Sequence, residues 1–217
     1  MKTKRLTLIH TSPVMVPVFG ELCTELLPGI ETVHMVDESL LKDILKEGRL
    51  TKSTARRLVN HILSADQAGT DAILVTCSSI GKATELGREL VEPIVVRVDE
   101  PMATKAIEAG KRIGVIATLP STLNPTVDLI RKQGTEDLEV TAKLCEGAFE
   151  AVISGDAATH DKIVGEGIIE LVSKVDVIVL AQASMARVVS TLAADKVTVP
   201  VLSSPRLSIE HLASVLK

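Results

Sequence analysis

The chain has 217 residues, of which 46% are hydrophobic and 1% aromatic, and a formal net charge of −4. That length suffices for one large domain or two small α/β lobes sharing a cleft, and a core so poor in aromatics must be built from Val, Ile, Leu and Ala, which suits strands covered on both faces by helices. The absence of a basic cluster and of Trp and Tyr excludes the usual means of binding nucleic acid, and no stretch is apolar for long enough to span a bilayer.

Along the chain, aliphatic runs predict strands at Leu6–Ile9, Thr32–Val36, Ala72–Val75, Ile94–Val98, Ile113–Ile116, Leu138–Ala142, Val177–Leu180 and Val199–Leu202. Helical patterns lie between them at Thr51–Ala68, Ile80–Leu90, Met102–Ala109, Ser121–Lys132, His160–Ser173 and Met185–Ala194. Gly29, Gly69, Gly110 and Gly134 sit where helices should stop. The alternation implies an α/β fold with mostly parallel sheets and flanking helices. The first residues run from Met-Lys-Thr-Lys-Arg straight into a strand, without the apolar region of a signal peptide, so a cytoplasmic protein is expected. Three cysteines, Cys23, Cys77 and Cys145, at unrelated spacings fit neither a disulfide framework nor a zinc site. Glycine-rich nucleotide fingerprints are absent as well.

An internal repeat organises the chain. Arg5-Leu-Thr-Leu-Ile-His-Thr-Ser-Pro13 resembles Arg112-Ile-Gly-Val-Ile-Ala-Thr-Leu-Pro120, and Asp71-Ala-Ile-Leu-Val-Thr-Cys-Ser-Ser-Ile80 resembles Asp176-Val-Ile-Val-Leu-Ala-Gln-Ala-Ser-Met185. Pro93-Ile-Val-Val likewise resembles Pro200-Val-Leu-Ser. Duplication of one α/β unit predicts two lobes related by a pseudo-twofold axis: residues 1–98, rejoined by a C-terminal helix at 206–217, and residues 99–205. Ligands of such sheets bind beyond the carboxyl ends of the strands. Cys77 and Gln182 are equivalent in the repeat, so they are expected to face each other across a ligand.

Cys77 stands between a strand and a helix start, beside Ser78, Ser79 and Gly81. The positive end of the helix dipole should favour its thiolate, which could act as a base or a nucleophile; the alternative is a buried structural cysteine. Thr11, Ser12, Thr118, Ser121 and Thr122, with Ser78, Ser79 and the Gln182-Ala183-Ser184 loop, form a predicted rim of hydroxyls and backbone N–H groups able to hold a carboxylate, although each alone is more often a helix cap. His10 follows the first predicted strand. Cys145 and Glu146 lie at another strand end, Cys23 in a core helix, and Asp99 at a helix start as a cap. His160 and His211 are expected at the surface.

Val-Thr-Cys-Ser-Ser after its strand, Gly-Val-Ile-Ala-Thr in the second half and Leu-Ala-Gln-Ala-Ser-Met resemble, together and in order, the aspartate/glutamate/hydantoin racemase superfamily. The resemblance implies two lobes enclosing a small carboxylate, with two cysteines moving the proton next to it and neither metal nor pyridoxal phosphate. Carried over by position, Cys77 matches the first cysteine. Thr11, Ser78, Ser79, Thr118 and Ser184 fall in carboxylate-binding loops, Cys145 resembles a position beside the substrate, and His10 stands where glutamate racemases carry an acidic residue near the cysteine, which makes it a candidate to orient or deprotonate Cys77. The second cysteine is replaced by Gln182, which hydrogen-bonds but carries no exchangeable acid or base. The expected activity is a cofactor-independent racemase or isomerase acting on an amino, hydroxy or sugar acid through Cys77. A one-thiol decarboxylase or lyase, or a non-catalytic carboxylate sensor, are the alternatives. No nucleic-acid or membrane partner is expected, and an aliphatic surface would favour a homo-oligomer.

Overall fold

The computed structural model describes residues 3–189 and 191–216. In chain order the elements are β1 (Arg5–His10), α1 (Met15–Leu26), β2 (Glu31–Val36), α2 (Glu38–Glu47), α3 (Lys52–Gln67), β3 (Ala72–Val75), α4 (Gly81–Arg88), β4 (Ile94–Arg97), α5 (Glu100–Ala109), β5 (Arg112–Ala117), α6 (Pro120–Gln133), β6 (Glu139–Leu144), α7 (Ala148–Ile153), α8 (Ala157–Val172), β7 (Val177–Leu180), α9 (Ala186–Val189), β8 (Val201–Ser203) and α10 (Ser204–Val215). Short 3-10 turns at Ser78–Ile80 and Ala183–Met185 precede α4 and α9. All the predicted strands are present, most shifted by a residue or two at an end.

Two compact units result, one of residues up to Glu100 and from Pro205 onward, the other of Pro101–Ser204. Each holds a parallel four-stranded sheet. The strand orders are β2-β1-β3-β4 and β6-β5-β7-β8, so the second half repeats the topology of the first. The register repeats too: Ile9 pairs with Val75 and Ile116 with Leu180. Even the strand starts match, since the Asp71 carboxylate accepts the Arg5 N–H at 2.7 Å and the Asp176 carboxylate accepts the Arg112 N–H at 2.9 Å.

The central strands are buried on both faces, as their unbroken aliphatic runs require. In the first unit Leu6, Leu8, Ala72 and Leu74 pack with Phe19 and Cys23 of α1 and with Ile209 and Leu212 of α10. Alternate residues Ile9, Ile73 and Val75 point to the other face, against Leu40, Ile44, Leu58 and Ile62 of α2 and α3. In the second unit Ile116, Ile178 and Leu180 meet Val164, Ile168 and Leu171 of α8. At about 25 cal/mol per Å² of apolar surface removed from water, these layers are the main source of stability.

Several local expectations change. The helix predicted at Met185–Ala194 is confined to Ala186–Val189, and residue 190 lies outside the described residues. Gly29 and Gly69 are left-handed helix stops with φ of 85° and 75°, but Gly110 and Gly134 do not have positive φ. Gly110 is required for another reason: a Cβ there would lie 2.4 Å from Cβ of Asp176. His160 is fully buried rather than at the surface, because it continues the inner face of α8 one turn before Val164. Its Nδ1 lies 2.7 Å from the Asp161 carboxylate. His211 is exposed, as expected. Among the described residues no helix is long and apolar enough to cross a membrane.

Candidate active site

Cys77 follows β3 by two residues, at the carboxyl end of the first unit's sheet. The strand must end there: beyond Val75 the chain leaves the ladder with Thr76 still donating its N–H to Ile9 O at 3.0 Å, then turns through Ser78–Ile80 into α4. The turn brings donors onto the sulfur. Sγ receives the Thr11 and Ser79 hydroxyls and the backbone N–H groups of Ser79 and Ile80. Thr11, Ser78 and Ser79 are buried and Cys77 is half-buried.

The electrostatic outcome differs from the sequence expectation. Burial pushes the Cys77 thiol up from its ordinary value and outweighs the hydrogen bonds, which pull it down. The residue therefore rests as a thiol, even though its donors are arranged to receive a thiolate. Cys23 and Cys145 are deep in the core, where burial pushes both up to about 11. Cys145 packs against Gly167, where an added Cβ would lie 2.8 Å from its sulfur.

The second unit builds an analogous contact with different chemistry. Thr118, the register equivalent of Thr11, donates its N–H at 2.6 Å and its hydroxyl at 3.0 Å to Oε1 of Gln182, the equivalent of Cys77. Each unit thus ties the threonine after its first strand to the residue two beyond its central strand. The Thr118 hydroxyl oxygen also accepts Nε2 of Gln182 at 2.8 Å, so the two side chains hold each other. Ser121 and Thr122 lie in the first turn of α6. The Ser121 hydroxyl oxygen is buried with no hydrogen-bond partner among the described residues, and a ligand atom would complete it. Ala183 and Ser184 are half-buried in the turn before α9, and Ser12 is half-buried before α1, where its carbonyl accepts the Met15 N–H at 3.2 Å.

His10 is fully buried and does not sit on the thiol. Its Nδ1 lies 2.9 Å from the Thr76 hydroxyl and its Nε2 2.9 Å from Nδ1 of His34. Burial, helped by His34, lowers its pKa to about 4. The unfolded chain binds this proton from about 6.5 downward and the folded protein only near 4. The stabilisation is fully present above the unfolded value and is lost as pH falls through that window, up to about 3 kcal/mol. Urea midpoints measured at the two ends of the window should therefore fall more steeply for the wild type than for His10→Asn. Equal slopes would refute a buried neutral imidazole.

Sequence reasoning missed His34 and Thr76, which hold His10, and the pairing of Arg97 with Asp99. The Asp99 carboxylate is fully buried and accepts Nε and Nη2 of Arg97 at 3.1 and 3.0 Å, so at its place directly before α5 it is an ion-pair partner. Comparing the two halves position by position could have exposed His34 and Thr76, since their counterparts are alanines.

None of the curated proteins compared matches the chain. The fold is similar to that of allantoin racemase from Klebsiella pneumoniae, with a TM-score of 0.74 at 18% identity over 99% of this chain and 88% of that one. It is similar too to glutamate racemase from Francisella tularensis, determined with D-glutamate, with a TM-score of 0.75 at 15% identity over 100% and 82%. For aspartate racemase from Picrophilus torridus the TM-score is 0.73, at 14% identity over 97% and 94%. The family model described as Asp/Glu/Hydantoin racemase matches residues 9–212, a span that contains both threonine-anchored strand ends. The chain therefore belongs to the Asp/Glu/Hydantoin racemase family and, with it, to the isomerases.

Proposed function

We propose that the protein moves a proton at the carbon next to the carboxylate of a small amino, hydroxy or sugar acid, without a cofactor, and that Cys77 is the acid/base. The observation that carries this reading is the ring of donors on one half-buried cysteine at a strand end: two hydroxyls and two backbone N–H groups converge on Cys77 Sγ, while Cys23 and Cys145 are buried in the core. Hydrogen bonds to a charged acceptor contribute about 1.5–3 kcal/mol each. Such a site holds a thiol at rest and stabilises the thiolate formed when its proton moves. In this reading Thr11, Ser12, Ser78 and Ser79 are the substrate-binding residues of the first unit and Ser121, Thr122, Ala183 and Ser184 those of the second, with Ser121 offering its unpaired hydroxyl to a carboxylate. Gln182, held by Thr118, orients the substrate or a developing enolate oxygen.

A thiol on one face gives exchange on that face. Inversion needs a second proton source on the other, and the Gln182 amide supplies none. A second reading rests on that and on the protonated resting state of Cys77: a decarboxylase or lyase in which the thiol donates its proton to an enediolate left by loss of a group.

Proton NMR in deuterium oxide with a panel of chiral carboxylates and malonate-type acids tests both. Cys77-dependent loss of an α-hydrogen signal, absent in Cys77→Ala, is the expected result. Loss of carbon dioxide with a deuteron gained would favour the second reading. An unchanged panel, or a Cys77→Ala variant as active as the wild type, would overturn the assignment of Cys77.

A further inference from the structure

Register lets the two halves serve as controls for each other. Ile9 is paired with Val75 and Ile116 with Leu180, so His10 corresponds to Ala117 and Thr76 to Ala181. On the other side of the central strands, Leu8 pairs with His34 and Val115 with Ala142, so His34 corresponds to Ala142. The unit with the thiol thus has His, His and Thr at three positions where the unit with Gln182 has three alanines. Those three residues are bonded to one another, through the contacts of 2.9 Å from His34 to His10 and from His10 to Thr76. The fold does not require them, because the second unit builds the same sheet with methyl groups.

Their position relates them to Cys77. His10 and Thr76 lie one step beyond Ile9 and Val75, the last residues paired between β1 and β3, and Thr11 and Cys77 one step further. Two side-chain bonds therefore continue the ladder past its end: His10 to Thr76, then Thr11 to Cys77 Sγ. The Thr76 hydroxyl also reaches Ile9 O at 3.1 Å, fixing it from a second side. Phe19 of α1 meets the His10 ring with centroids 5.7 Å apart, and the His34 ring runs nearly parallel to it at 14°. The imidazole is packed and bonded on every side that the structure describes. It has no ring nitrogen left for the thiol.

We propose that His34, His10 and Thr76 form a latch that positions the Cys77 thiol. They are positioning residues acting through the backbone between Thr76 and Cys77 and through Thr11, the neighbour of His10. The proposal rests on Cys77 being the acid/base for its purpose, but the latch has a readout of its own.

That readout is the alkylation rate of Cys77 by iodoacetamide in the full chain at one fixed pH, followed by mass spectrometry. Thr76→Val removes the hydroxyl at constant shape, Thr76→Ser restores it, and His34→Ala copies the second unit at a half-exposed edge position that should still fold. Released from the latch, the thiol should gain solvent: alkylation should rise at least ~3-fold in Thr76→Val and His34→Ala and stay near wild type in Thr76→Ser. With a substrate in hand, kcat should fall about 10-fold and KM stay within about 2-fold, the signature of lost alignment rather than lost binding. Unchanged alkylation in both disabling variants, whatever their melting temperature, would overturn the latch. Raised alkylation in a protein whose Cys77→Ala variant keeps full turnover would leave the latch standing and remove the acid/base reading of Cys77.

Discussion

Replacing Asp99 by alanine should destabilise the protein by about 3–5 kcal/mol, the range found when one partner of a buried ion pair is removed. The Arg97 side chain is 4% exposed and that of Asp99 0%. The guanidinium is held at two nitrogens by Asp99 and at the third by Glu85 of α4. An arginine cannot shed its proton to escape burial, so without Asp99 one positive charge would remain with Glu85 as its only carboxylate among these partners. The loss would be felt near the candidate site. A Cβ on Gly81, the first residue of α4, would lie 2.4 Å from Cζ of Arg97, so the helix that follows Cys77 begins directly on this guanidinium. Chemical denaturation should show the loss as a lowered midpoint. Arg97→Met combined with Asp99→Leu should lose less than Asp99→Ala alone, because the two buried charges leave together and the carboxylate left behind, Glu85, is 29% exposed and can be hydrated. A loss below about 1 kcal/mol for Asp99→Ala, the value of a surface pair, would mean that water reaches the cluster.

The features legible in the sequence are those that depend on near neighbours in the chain. Runs such as Ala72–Val75 and Val177–Leu180 announce strands buried on both faces because every residue in them is aliphatic, and the structure buries every one. The repeat made Cys77 and Gln182 equivalent before any geometry was known, and the matched contacts from Thr11 and Thr118 agree with that pairing. What stayed hidden depends on partners brought in by the fold. Asp99 reads as a cap two residues after Arg97, and only the fold shows its carboxylate buried on that guanidinium, with half-buried Glu85 of α4 as the second acidic partner. His160 reads as a surface residue because one imidazole carries no periodicity of its own; its place in the row with Val164, Ile168 and Leu171 buries it. The dipole argument for a lowered Cys77 pKa named neither the Thr11 and Ser79 donors nor the burial that outweighs them, because a local sequence does not report how much water the surrounding fold removes.

Changing Cys77 to serine should reduce solvent exchange at the substrate carbon by about 10²–10⁴-fold, the usual contribution of a positioned general acid or base, and should leave the fold and substrate affinity nearly intact. The side chain loses only the step from sulfur to oxygen, and the Thr11 and Ser79 hydroxyls and the Ser79 and Ile80 N–H groups would still have an oxygen to meet. What changes is acidity. A thiol ordinarily titrates at about 8.5, close enough to neutral for its proton to be given and taken during turnover; an alcohol does not ionise in that range, and the donors around Cys77 have to overcome burial even for the sulfur. Serine would thus keep the binding geometry and lose the proton carrier, which separates chemistry from structure more cleanly than alanine. Single-turnover exchange and ligand affinity should be measured on the same preparation. Exchange within about 10-fold of wild type, at matched affinity, would show that Cys77 helps hold the substrate while another group moves the proton. Exchange and affinity lost together, with the fold intact, would make the thiol a binding contact.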